Sequence, residues 1–169
     1  LFILSLIFWF LLEIFKVKKF KKQISNFFLL FILLLIILQI VLGAFLSGLD
    51  GGLIYNSWPD MNGSYFPDDV NFNDIVNIHL FNNPSIVQFL HRLTAYLLLF
   101  FVIILNYLYI KKKFDIKNIL FFDIAIFIQI LLGIITLISG VEIKYASLHQ
   151  LGSILVLSSY LLILYKNSN

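Results

Sequence analysis

Four apolar runs, at 24–46, 85–110, 116–139 and 145–165, leave this chain little choice of fold. Each is as long as the roughly 20 residues of helix that cross a hydrocarbon core. A segment in lipid must satisfy its own backbone hydrogen bonds, which a helix does within itself. With 61% of its residues hydrophobic and 12% charged, the sequence lacks the polar surface to enclose four such runs in water. Each is predicted to be one membrane-spanning helix. A fifth run, 1–15, is apolar from its first residue and has neither an initiating Met nor a basic flank ahead of its core. It is read as the tail of a truncated transmembrane helix rather than as a signal peptide. The expected fold class is an all-α membrane protein: a four-helix transmembrane bundle over 24–169, preceded by the helix tail 1–15 and a basic loop 16–23.

Charge is sorted along the chain. Lys16, Lys18, Lys19, Lys21 and Lys22 fill the first connection, Lys111, Lys112, Lys113 and Lys117 the third, and Lys166 the tail. The intervening connections hold Asp50, Asp60, Asp68, Asp69 and Asp74, then Glu142 with Lys144. Lys and Arg in short loops stay on the cytoplasmic side, so the lysine connections face the cytoplasm, or the matrix of a mitochondrion, and the acidic ones face outward. The lysines thus set topology in a lipid bilayer, and no nucleic-acid partner is expected.

The first and third spans share a motif, Gln39-Ile40-Val41-Leu42-Gly43 and Gln129-Ile130-Leu131-Leu132-Gly133. Each is followed by an outer loop and an inward-running helix with a histidine near its start, His91 and His149. The unit of helix, loop and His-helix therefore occurs twice, and the bundle is expected to be two repeated helix pairs related by an axis along the membrane normal. The loops differ: the second is a few residues around 140–144, whereas the first runs over 47–83. Tyr55, Trp58, Tyr65 and Phe66 argue that this long loop is ordered at the interface. At its end Asn83 can cap the next helix, and Pro84 suits a first helical position.

Cysteine is absent, so thiolate chemistry, disulfides and Cys-ligated metals are excluded. Ionisable and strongly polar residues inside spans are functional candidates; these are Gln39, Gln88, His91, Arg92, Asp123, Gln129, His149 and Gln150. At 1.5 Å per residue, His91 and His149 lie about 10 Å and about 8 Å below their outer helix ends. Two imidazoles at one depth in one bundle can supply both axial bonds to a haem iron. Small residues lie one turn on, Thr94 and Ala95 after His91, Gly152 and Ser153 after His149, and Gly43 and Gly133 can give similar clearance from the partner helices. Zinc or copper would need further ligands, and His79 lies in the outer loop, where a solvated histidine is expected. Arg92 has two readings: a partner for haem propionates, or a side chain snorkelling to the interface. Gln88 and Gln150 either orient a histidine, meet propionates, or link helices. Asp123, near the cytoplasmic end of its span, is expected to reach water.

The motifs Gly48-Leu49-Asp50-Gly51-Gly52, Tyr55-Asn56-Ser57-Trp58-Pro59-Asp60-Met61-Asn62-Gly63, Phe81-Asn82-Asn83-Pro84, Val87-Gln88-Phe89-Leu90-His91-Arg92-Leu93 with Ala95-Tyr96, and Leu148-His149-Gln150 resemble the C-terminal half of haem A synthases. The resemblance runs from Gln39 to the end of the chain. It implies an eight-helix enzyme of two similar four-helix halves, which oxidises the methyl substituent of haem O to the formyl group of haem A for terminal oxidase assembly. In such enzymes the histidines matching His91 and His149 hold a haem b that passes electrons. The N-terminal half holds the substrate haem and an essential glutamate, and Glu13 does not match that glutamate. Some members carry a cysteine pair in an outer loop; this chain does not, as in the mitochondrial and proteobacterial-like branch.

The reading is thus the haem b-binding half of a haem A synthase, inactive alone, with His91, His149 and Arg92 at the cofactor. Its expected partners are the missing N-terminal half, haem O, a haem O synthase and an electron donor. Its expected location is the bacterial inner membrane, with the mitochondrial inner membrane as the alternative. Two other readings are a self-contained di-histidine cytochrome b for electron transfer and a scaffold without cofactor.

Overall fold

A computed structural model of the chain describes residues 1–20, 24–71 and 80–168. His79, Asp74, Lys21 and Lys22 lie outside the described residues. The described residues form five α-helices: α1 (Phe2–Ile14), α2 (Asn26–Gly48), α3 (Pro84–Lys111), α4 (Lys117–Ile138) and α5 (Ile143–Asn167). The last four are long and apolar enough to cross a membrane, and their bounds follow the hydropathy runs to within two residues at every end. The fold is a four-helix transmembrane bundle with a short N-terminal helix packed on α5.

The helix ends obey local chemistry. Asn83 caps α3, its side-chain oxygen accepting from the N–H groups of Ser85 (3.0 Å) and Ile86 (3.2 Å), with Pro84 in the first turn. α1, α3 and α4 stop at left-handed residues, Lys16, Lys113 and Gly140. The next N–H folds back to a carbonyl in the helix in each case: Val17 to Leu12, Phe114 to Tyr109, and Val141 to Thr136.

Packing is closest within the pairs α2–α3 and α4–α5, while lesser contacts join α2 to α5 and α3 to α4. α3 and α5, which carry the histidines, therefore stand diagonally across the bundle. The lysine-bearing connections gather at one end. There Phe20 stacks on Phe114 with centroids 4.9 Å apart, and the Phe20 N–H donates to the Lys166 carbonyl. Asn167 closes that end by bonding both the N–H and the carbonyl of Ile24. At the opposite end the Asn56 amide donates to the Leu137 carbonyl (3.0 Å), tying the long outer loop to the end of α4. The alternation expected from charge sorting is thus the alternation observed.

The main apolar cluster lies in the inner half of the bundle. Leu29, Ile32 and Ile36 of α2, Leu98, Val102 and Leu105 of α3, Ile119 and Phe122 of α4, and Leu157 and Tyr160 of α5 form one buried cluster. Along α5, the fully buried residues begin only at Val156; along α4, they end at Ile126. Among the described residues, the outer stretches of these two helices bury no apolar side chain completely.

Candidate functional site

The outer half of the bundle, where α4 and α5 bury no apolar side chain completely, contains both histidines. His91 comes from the second turn of α3 and His149 from the second turn of α5. Each imidazole lies against the glycine of the preceding helix. A β-carbon built at Gly43 would stand 3.3 Å from His91 Cε1, and one at Gly133 would stand 2.9 Å from His149 Cε1. Each glycine thus leaves room for the histidine ring beside it. Gly152, expected beside its own histidine, instead makes room for the Gln129 carboxamide.

The glutamines occupy matching positions with different contacts. The Gln39 amide nitrogen is 3.2 Å from His91 Nε2. The Gln129 amide instead donates to the backbone carbonyl of His149 (2.9 Å). Nδ1 of His91 and Nδ1 of His149 are both buried without a hydrogen-bond partner, as are the side-chain oxygens of Gln39 and Gln129. Buried polar atoms are nearly always paired, so two unpaired imidazole nitrogens in one bundle mark where a further group would bind. Uncommitted ring nitrogens on diagonal helices, a glycine beside each ring and outer stretches of α4 and α5 that bury no apolar side chain completely fit a planar group that the two histidines would hold. Among the described residues, no three His, Asp or Glu side chains group as a metal site would require.

Arg92 and Gln88 bind the outer loop. The Arg92 guanidinium donates to the carbonyls of Asp60 (2.7 Å) and Tyr55 (3.1 Å), and the Gln88 amide donates to the same Tyr55 carbonyl (2.9 Å). Arg92 Nε is buried with no partner. Neither readout of the sequence anticipated carbonyls as Arg92's partners, because a backbone acceptor 32 or 37 positions away has no signature in residue type. Gln150 is exposed. The loop is ordered around Tyr55, which is 3% exposed, while Trp58 and Tyr65 face outward. The Tyr55 hydroxyl lies 2.6 Å from Asp68 and 2.7 Å from Asp69, and Asp69 also accepts from the Ser85 hydroxyl (2.6 Å) at the start of α3. Burial, then the hydrogen bonds to the two carboxylates, pushes the Tyr55 phenol above its ordinary range. Burial acts to raise the Asp69 carboxyl, but the hydrogen bonds from Ser85 and Tyr55 outweigh it and hold that carboxyl below the usual range. The outer loop is therefore tied to the start of the His91 helix by polar contacts.

In the inner half, Asp123 accepts from the Asn106 amide (2.9 Å) across the contact of α3 with α4. Half-buried, it has a partner on a helix and does not rely on water alone.

The profile of the Cytochrome oxidase assembly protein family matches residues 1–161. The chain belongs to this family. It is 76% identical, over its whole length, to the Heme A synthase of Pelagibacter ubique, of which it covers 50%. It is 40% identical over 123 residues to the Heme A synthase of Wolbachia pipientis, covering 73% of this chain and 34% of that protein. It is 42% identical over 124 residues to the Heme A synthase of Rickettsia felis, covering 71% of this chain and 36% of that protein. The chain thus spans about half the length of the first of these relatives and about a third of the others, and it aligns with the C-terminal half. No solved structure matches it.

Proposed function

We propose that this chain is the haem b-binding half of a haem A synthase, with His91 and His149 as axial ligands. The observation that carries this reading is the matched pair of glycine–histidine contacts on diagonal helices, each ring keeping a buried, uncommitted nitrogen. A haem held there by His91 and His149 would supply a one-electron relay. Gly43 and Gly133 give the rings clearance, and the packed inner half fixes the helices that carry them. The donors of Arg92 that the loop carbonyls leave free serve the propionates. Gln88, Arg92 and the Tyr55–Asp69–Ser85 bonds hold the outer loop over α3.

The whole protein oxidises the methyl group of haem O to the formyl group of haem A for oxidase assembly. The reacting methyl must be held against an oxidising centre, and that pocket belongs to the other half of the enzyme. A haem O synthase delivers the substrate, and an electron donor serves the relay. The bacterial relatives and the gathered lysines support a location in the inner membrane with the lysine-bearing end in the cytoplasm.

The test is to supply haem O and reductant to this chain alone and to the same chain joined to the N-terminal half of such an enzyme, then extract and identify the haems. Haem A is expected only from the joined protein. Haem A from the chain alone would place the chemistry in this half and overturn the division of labour.

A further inference from the structure

The two helix pairs match in their glycine–histidine contacts and part company at their glutamines. Gln39 reaches the His91 ring, its amide nitrogen 3.2 Å from Nε2. Gln129, at the equivalent place in its own helix, spends its amide on the His149 backbone carbonyl and touches no ring nitrogen within hydrogen-bond range. Its side-chain oxygen packs against Gly152. A carboxamide presents a donor and an acceptor of nearly the same shape. Gln39 can therefore donate to a bare ring nitrogen or, turned over, accept a ring N–H. Either way the contact fixes how the imidazole turns about its Cβ–Cγ bond, with Gly43 closing on the ring at Cε1. His149 has a glycine contact too, but its Nδ1 is unpartnered and the Gln129 amide goes to the backbone carbonyl and not to the ring.

We propose that Gln39 is a positioning residue for the His91 imidazole, with no counterpart on His149, so that the two axial ligands of the site are held unequally. The inference rests on the haem-ligand reading above. It goes further by assigning a role to a half-buried glutamine in mid-membrane and by breaking the symmetry of the repeat. Partners that orient a metal-binding histidine typically contribute 10- to 100-fold to retention of the metal group.

The experiment compares Gln39→Leu, Gln39→Glu and Gln129→Leu in the purified membrane protein. The readouts are the low-spin ferric electron paramagnetic resonance spectrum and the rate of haem transfer to apomyoglobin. Gln39→Leu is expected to shift the largest g value and to release haem about 10- to 100-fold faster. Gln39→Glu, which keeps an acceptor at the same reach, is expected to restore retention, and Gln129→Leu to keep the parent g values. A Gln39→Leu protein that holds no haem but keeps its helix content supports the proposal if Gln39→Glu restores the haem, and overturns it if Gln39→Glu does not. Parent spectra and retention in Gln39→Leu, or equal shifts in Gln39→Leu and Gln129→Leu, also overturn it. Absence of low-spin haem in the parent protein would instead refute the underlying ligand assignment.

Discussion

Gly133 and His149 meet so closely that a β-carbon on the glycine would stand 2.9 Å from the imidazole Cε1, 3.4 Å from Nδ1 and 3.6 Å from Nε2. No ordinary packing contact is that short, so Gly133→Ala must displace the ring. At Gly43 the corresponding approach to His91 is 3.3 Å, which a shift of a few tenths of an ångström relieves. Gly133→Ala is therefore expected to disturb the site more than Gly43→Ala, with an overpacking cost of about 1–3 kcal/mol. Thermal melts in detergent, read beside bound haem content, check the order. A larger loss in Gly43→Ala would show that the two contacts are ranked wrongly.

Arg92 is expected to act first on the outer loop. Removing its two charge-assisted hydrogen bonds to the Asp60 and Tyr55 carbonyls by Arg92→Ala should destabilise the protein by about 1.5–3 kcal/mol. Arg92→Lys restores only part of that, because an ammonium cannot present the guanidinium fork to two carbonyls at once. Protease cleavage between 47 and 83 should accelerate in both variants, and more in Arg92→Ala. Cleavage at the parent rate in both would separate Arg92 from the loop.

The Tyr55–Asp69 contact sets a pH window for the loop. The Asp69 carboxyl is held below its ordinary value of 3.8, so its contribution is complete above that value and is lost as pH falls through the lower, folded-state one. The Tyr55 phenol is pushed above 10.0, so its contribution is complete below that value and is lost as pH rises beyond it. Loop attachment should then be flat between about pH 5 and about pH 9 and weaken outside. Trp58 fluorescence in a Trp9→Phe background reports it, and a transition inside that window would contradict the linkage.

Asn106 and Asp123 join the two helix pairs through one side-chain hydrogen bond where α3 and α4 touch least. Asn106→Leu is expected to cost about 0.6–2 kcal/mol, the range of interhelical hydrogen bonds in membranes. An unchanged melt would mean that Asp123 finds water equally good.

Much of this arrangement was legible in the sequence because lipid imposes one-dimensional rules. Apolar length gave the spans, the lysines gave the alternation, Asn83-Pro84 gave the start of α3, and the repeated Gln-x-x-x-Gly with its following histidine gave the paired glycine–histidine contacts. What escaped reading were contacts made by backbone atoms or across helix pairs. Arg92's carbonyl partners and Asn106's reach to Asp123 depend on tertiary placement that no periodicity encodes. The lack of fully buried apolar residues in the outer stretches of α4 and α5 was hidden for a related reason: Leu and Ile fill those stretches as densely as the inner ones, and in lipid an apolar residue is equally at home facing tails or neighbours.

The most direct test is the reduced-minus-oxidised absorption spectrum, with low-temperature electron paramagnetic resonance, of the purified protein beside its His91→Ala and His149→Ala variants. If the two histidines are the axial pair, the parent shows a low-spin haem b and each variant loses that signal while keeping its helix content, because the bundle's backbone bonds are satisfied internally. A low-spin spectrum unchanged in either variant would contradict the assignment.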